Sequence, residues 1–167
     1  GIVLDGRLYS GQTGNAGALG SMLVSGPGGK QAQLIDIASV AVLEKELNAE
    51  GIEATHLWTS PVDWGELGPT LDDWLVRAAD ALAHAIVSAT SVIDFEAAVI
   101  DGWMPTSVRL KLVDAVRKAI GGMDAEGLTV PRIHEGTVGV HARALGAASL
   151  PLSERFLIRP TMIAGGT

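Results

Sequence analysis

Apolar and polar positions fall in blocks along the chain, and the blocks predict strands alternating with helices. Ile2-Val3-Leu4 is an apolar run that meets Asp5-Gly6 and returns through Arg7-Leu8-Tyr9. That is the pattern of a hairpin closed by a dipeptide that tolerates positive φ. Met22-Leu23-Val24 predicts a short strand, ended by the turn residues Ser25-Gly26-Pro27-Gly28-Gly29. Leu34, Ile35, Ile37, Ala38, Ala41, Val42, Leu43 and Leu47 then recur at helical spacing and stop at Glu50-Gly51. They predict one helix or a pair of short ones, with Gly51 suited to the C-terminal cap.

Residues 54 to 69 read as a loop in which Trp58 and Trp64 anchor the chain to the core. Thr70-Leu71-Asp72-Asp73 opens the longest predicted helix, with Thr70 as N-cap and both aspartates favoured by the helix dipole. Its stripe is Leu71, Trp74, Leu75, Ala78, Leu82, Ala85, Ile86, Ala89 and Ile93. His84 on this helix reads as a packed or solvated side chain without a ligand partner one turn away. The continuous apolar run Ala97-Ala98-Val99-Ile100 predicts a buried strand ending at Asp101-Gly102.

Pro105-Thr106-Ser107 starts a further helix, with Val108, Leu112, Val113, Val116 and Ile120 inward and Arg109, Lys111, Arg117 and Lys118 outward. Val130 to His134 predicts an edge strand with Pro131 near its start. The small residues from His141 to Leu150 predict a helix that packs closely against a neighbour. The tail from Leu152 to Ile163, with Phe156, Leu157 and Ile158, needs a surface to dock on. This alternation predicts an α/β layer architecture.

Composition narrows the function classes. In 167 residues, 47% are hydrophobic and 19% charged, which suits one folded domain. A net charge of −7 is wrong for a surface that neutralises phosphates, so any DNA contact is expected from another part of a longer protein. There is no cysteine, which excludes disulfides and thiolate metal sites and fits a reducing cytoplasm. No run of apolar residues is read as a membrane span, and no membrane partner is expected.

The most distinctive stretch is Gly14-Asn15-Ala16-Gly17-x-x-Gly20, where glycines let a backbone approach another backbone or a ligand. Preceded by Gly-Ile-Val-Leu-Asp-Gly-Arg-Leu-Tyr, it resembles the ROK family of sugar kinases and sugar-responsive repressors. Ala38-Ser39, Ile93 to Gly102 and Ala144-Leu145-Gly146-Ala147-Ala148 extend the resemblance over nearly the whole chain. The resemblance implies an α/β fold of the actin-like, hexokinase-like ATPase type, residues 1–167 being its C-terminal domain, a mixed sheet with flanking helices. It also implies that the lost remainder, cut before Gly1, holds the first phosphate-binding motif, the catalytic aspartate and, in repressors, a winged helix-turn-helix.

At the positions that matter most, the chain departs from that family. Where the family has a Glu and a His touching sugar hydroxyls, this chain has Ala18 and Ser21, and a third carboxylate position holds Ile35. Methyl and branched aliphatic groups offer sugar hydroxyls no hydrogen bond. The resemblance leaves Gly14, Asn15, Gly17 and Ser21 as the candidate ligand-binding residues. The family's zinc site, one His and three Cys, has no His or Cys between Ser21 and Ser39 to form it.

The carboxyl ends of strands in an open α/β sheet are the second place to look. There the family's Gly-Gly beside the adenosine of ATP becomes Asp101-Gly102, followed by bulky Trp103. A carboxylate and an indole are expected to repel and crowd a nucleotide, which makes Asp101 and Gly102 a degenerate nucleotide site. Taken together, the departures imply neither zinc nor ATP as cofactor and no catalytic residue. The expected function is the effector-binding and oligomerising half of a cytoplasmic, sugar- or metabolite-responsive repressor. Its partners would be a second copy of itself, a sugar-like effector, and DNA only through a separate N-terminal domain. The alternative is the C-terminal half of an ATP-dependent sugar kinase, and a third possibility is a structural pseudo-kinase domain that only mediates assembly.

Overall fold

The structure is a computed structural model that describes residues 1–149 apart from 60–63, 65, 66 and 143. The predicted tail from Leu152 lies outside the described residues.

The chain opens with β1 (Ile2–Leu4) and β2 (Arg7–Tyr9), antiparallel with Val3 opposite Leu8. Asp5 (φ 51°) and Gly6 (φ 72°) make the turn, both left-handed, as a two-residue hairpin requires. β3 (Leu23–Ser25) pairs antiparallel with β4 (Gln31–Gln33), a strand the sequence pattern had not predicted. Next come two short helices, α1 (Ile35–Ala38) and α2 (Val40–Ala49), and Gly51 at φ 77° turns the chain out of the second.

The loop that follows is partly helical, with α3 at His56–Thr59. Its two tryptophans divide. Trp64 is buried and anchors the loop as expected, whereas Trp58 remains half exposed. The long helix α4 spans Gly68–Ile93. It starts two residues before the expected cap, because Pro69 suits the first turn, where its missing N–H is no loss. Thr70 therefore lies inside the helix, buried, and its hydroxyl donates to the Glu50 carboxylate at 2.6 Å.

α4 is the axis of the molecule and buries more than the single predicted stripe. Leu71, Trp74, Leu75 and Ala78 pack in one cluster with Leu43 and Leu47 of α2 and with Val108, Leu112, Val113 and Val116 of α5 (Thr106–Gly121). Ala81 and Ala85 pack on the other side against Val24, Leu34 and Ile37. Alanine at the intermediate positions lets both layers come close. By length and composition this helix is also apolar enough to cross a membrane, contrary to the expectation of no such run, but here it is the core helix of the body.

After α4, β5 (Ala97–Ile100) runs parallel to β6 (Arg132–Glu135), with α5 as the crossover between them. Parallel and antiparallel pairing are both present, but divided among three two-stranded sheets among the described residues. β5 is not the fully buried strand its apolar run predicted, since Val99 is 66% exposed. Residues beyond β6 form a 3-10 turn at Gly139–His141 and a helical stretch at 144–149. That small-residue stretch is exposed, without a packing neighbour among the described residues.

Candidate functional site

The glycine run folds back on β1. Gly17 adopts φ 71°, and a Cβ there would lie 2.7 Å from the Gly1 carbonyl carbon and 2.8 Å from the Ile2 nitrogen. Its carbonyl accepts a hydrogen bond from the Gly1 amine at 3.1 Å. The close approach that glycine permits at this position is therefore to the chain's own strand, not to open space. Gly14 (φ 82°) has nothing within 4 Å of the same point, and its glycine is needed for the turn itself.

Asn15 donates through its amide to Thr13 Oγ1 at 3.4 Å, and its carbonyl accepts from the Ala18 nitrogen. Ser21 closes a 3-10 turn and is exposed. Gly17 and Ser21 line one cleft of about 370 Å³ with Ile2, Met22, Ser88 and Val92, a mostly apolar wall. Gly14 and Asn15 do not line it. Ile35, at the third departed position, presents a half-exposed aliphatic side chain on α1.

The carboxyl ends of β5 and β6 carry a more constructed arrangement. Asp101 follows β5, and its carboxylate accepts from the backbone nitrogens of Gly102 (2.8 Å), Val138 (3.1 Å) and Gly139 (3.0 Å). Arg109 Nη1 approaches the same carboxylate at 3.6 Å. Gly136, one residue past β6, leaves the space the carboxylate needs, because a Cβ there would stand 2.3 Å from the Asp101 Cβ. The side chain is thus a clasp between the ends of the two strands, a role that depends on residues almost forty positions later.

Arg109 corrects a second expectation. The sequence pattern places it on the outward basic face of α5, but it is buried, and it donates from Nε and Nη2 to Glu135 Oε1 at 2.9 Å and from Nη2 to Thr106 Oγ1 at 3.3 Å. Burying a guanidinium is tolerable only with such pairing. The other basic residues of that face do follow expectation, although Arg117 turns back to give two hydrogen bonds to the Ile133 carbonyl.

Burial pushes the Asp101 carboxyl group up. The N–H groups of Gly139, Gly102 and Val138, with the Arg109 charge, outweigh that and hold it below its ordinary 3.8. A depressed folded value stabilises the native state above the unfolded value and ceases to do so as pH falls through the folded one. Urea unfolding followed between pH 7 and pH 2.5 is therefore expected to lose stability more steeply below about pH 4 in the protein than in Asp101→Asn. Parallel pH profiles would show that the clasp is not carried by the charge.

Gly102 continues into a second cleft, also of about 370 Å³, lined by Trp58, Trp103, Gly139, Val140 and Ala142. Among the described residues none lines both clefts, so Gly17 and Ser21 lie apart from Gly102. Trp58 and Val140 were not singled out as site residues, and only their exposure in the folded chain points to them. His84, read as lacking a neighbour one turn away, has one in Asp80, 3.8 Å from Nδ1; both are exposed. Among the described residues no group of three or more His, Cys, Asp or Glu is placed to hold a metal ion.

These elements assemble the fold of the hexokinase-like sugar kinases, the actin-like ATPase fold. The ROK hexokinase from Thermus thermophilus superposes with a TM-score of 0.60 over 92% of this chain and 54% of its own, at 21% identity. A ROK family protein from Streptococcus pneumoniae, solved in complex with sucrose, gives 0.65 over 91% and 53%, at 18% identity. In sequence, the chain is 32% identical over 154 residues to the bifunctional enzyme NanE/NanK of Brucella melitensis, covering 90% of this chain and 28% of that enzyme. No protein-family model matches the chain. The comparisons support the ROK resemblance, and the chain spans just over a quarter of the Brucella enzyme and about half of the solved structures.

Proposed function

We propose that the chain is the effector-binding and self-associating half of a ROK-type regulator that does not transfer phosphate. The observation that carries this reading is the Asp101 clasp. Ligands of open α/β folds collect at the carboxyl ends of the strands, where backbone N–H groups receive anions. Here the N–H groups of Gly102, Val138 and Gly139 are taken by the chain's own carboxylate. A nucleotide approaching that spot meets a negative charge and no free donor among these three. Phosphoryl transfer is almost wholly positioning and charge stabilisation, so such a change removes much of what the reaction needs. Ala18 and Ile35 add to it by withholding hydrogen bonds from a sugar.

In this reading the protein is cytoplasmic and dimeric or larger. It responds to a small sugar-like molecule, reaches DNA only through another domain, and uses neither zinc nor ATP. The similarity to the Brucella bifunctional enzyme NanE/NanK favours a second reading, the C-terminal half of an active sugar kinase. A coupled ADP-release assay on the full-length protein with a hexose and amino-sugar panel separates the two. No turnover above the protein-free rate is expected with any sugar, and sugar-dependent turnover would establish the kinase instead.

A further inference from the structure

Among the described residues only one face of the parallel β5–β6 pair is covered. Ala98, Ile100 and Ile133 turn toward the main core beneath α5. The opposite face carries Ala97 beside Arg132 and Val99 beside His134, and Val99 is 66% exposed. Parallel strands are ordinarily buried on both faces, because one crossover helix covers only one of them and the other still presents apolar side chains to water. The helical stretch after β6 does not supply the second layer, since residues 144–149 are all exposed.

Outside the described residues the chain holds the apolar run Phe156-Leu157-Ile158, bracketed by Arg155 and Arg159. Laid extended, such a run turns Phe156 and Ile158 to one side, the spacing that matches alternate residues of a strand. Its charge also suits the place. The chain is acidic overall, at −7, and Asp94 and Glu96 stand exposed at the entry to β5.

Reach is sufficient. The Gly139 nitrogen is held by Asp101 at the end of β5, and the ten residues from there to Ser149 span about 15 Å as helix. The seven residues from Ser149 to Phe156 extend to about 23 Å. Even with the helical stretch pointing straight away from the sheet, that length covers the return to Val99, two residues before Asp101.

We propose that Phe156-Leu157-Ile158 lies across the outer face of the β5–β6 pair, with Phe156 and Ile158 against Val99 and Ala97, so that a later segment of the same chain forms the missing layer. The proposal is independent of whether the protein senses a ligand or transfers phosphate.

The test uses the whole protein carrying Val99→Cys combined in turn with Phe156→Cys and Ile158→Cys; residues 1–167 contain no native cysteine to compete. Under mild oxidation a disulfide within one molecule is expected for at least one pair, read by mass spectrometry of peptides from the monomer. Phe156→Cys with Val76→Cys, a position equally exposed on α4, is expected to give none. In a second arm, trypsin cleavage of the Arg155–Phe156 bond is followed in the native protein and in Val99→Asp. A charge placed under the segment removes its apolar seat, so cleavage is expected to speed up about tenfold or more. Because Val99 is exposed in the described body, an unchanged circular dichroism spectrum is expected to separate release of the segment from unfolding. Should Val99→Asp unfold, the disulfide arm decides alone.

No disulfide with Val99, an equal yield with Val76, or unchanged cleavage in a folded Val99→Asp would overturn the proposal. A disulfide formed only between two molecules would overturn it as well, and would assign this face to a second copy of the chain.

Discussion

Gly136→Ala is expected to destabilise the protein by about 3 kcal/mol or more, a large effect for one methyl group. The added carbon would stand 2.3 Å from the Asp101 Cβ, 2.5 Å from its Cγ and 2.7 Å from Oδ2, distances at which something must shift. Neither side has slack. Asp101 is fixed by three backbone nitrogens, and the Gly136 nitrogen donates to the Ile100 carbonyl at 2.8 Å, tying that backbone to the end of β5. The clash has one specific cause, so removing it should restore most of the loss. Asp101→Gly/Gly136→Ala is expected to be more stable than the sum of the two single changes by at least about 1 kcal/mol, read from urea midpoints as a double-mutant cycle. Additive effects would mean that the carboxylate does not set the shape of this corner.

The second large effect belongs to the core. Trp74 is fully buried in the main cluster, and its indole N–H donates to the Ser39 carbonyl at 3.2 Å, joining α4 to the break between α1 and α2. Trp74→Ala removes the ring and leaves a cavity among residues held by three helices, with an expected loss of about 3–5 kcal/mol. Trp74→Phe keeps most of the apolar volume and gives up the hydrogen bond, so a smaller loss is expected, about 1–2 kcal/mol. Chemical denaturation of both variants checks the order. Equal losses would show that the donated N–H, not the filled volume, makes this residue important.

The hairpin and the long helix could be read directly from the chain because their causes are local. Asp5-Gly6 needs no distant partner to turn, and the apolar spacing from Leu71 to Ala89 repeats over many turns of helix. β4 escaped because Gln31-Ala32-Gln33 has no apolar alternation of its own and is a strand only through its pairing with β3. The cap of α4 was misplaced because a threonine followed by two aspartates competes with a preceding proline, and proline at the first turn prevailed.

Site roles were harder to read than elements. Gly17 looked like a ligand cradle, but what fills the space beside it is β1, fifteen residues away in sequence. Asp101 looked like a charge that repels a nucleotide, and nothing adjacent to it announces that Val138 and Gly139 will supply its partners. Arg109 sits among solvent-facing lysines in sequence and is drawn inward by Glu135, whose approach depends on the whole α5 crossover. The tryptophans were legible as unusual, but which of Trp58 and Trp64 stays at the surface is decided by tertiary packing.

The parallel pairing of β5 with β6 also governs how the molecule comes into being. Ala97 must wait for Arg132, about 35 residues later, before its ladder can close. On a translating ribosome that interval is on the order of two to seven seconds. Throughout it the nascent chain displays Ala97-Ala98-Val99-Ile100 with unpaired edges, a β-prone segment able to join a neighbouring polypeptide. Asp94, Glu96 and Asp101, which flank the stretch in sequence, keep it beside negative charge during this window. In this chain, speed of synthesis and resistance to aggregation are coupled through the single crossover that also brings the two clasped strand ends together.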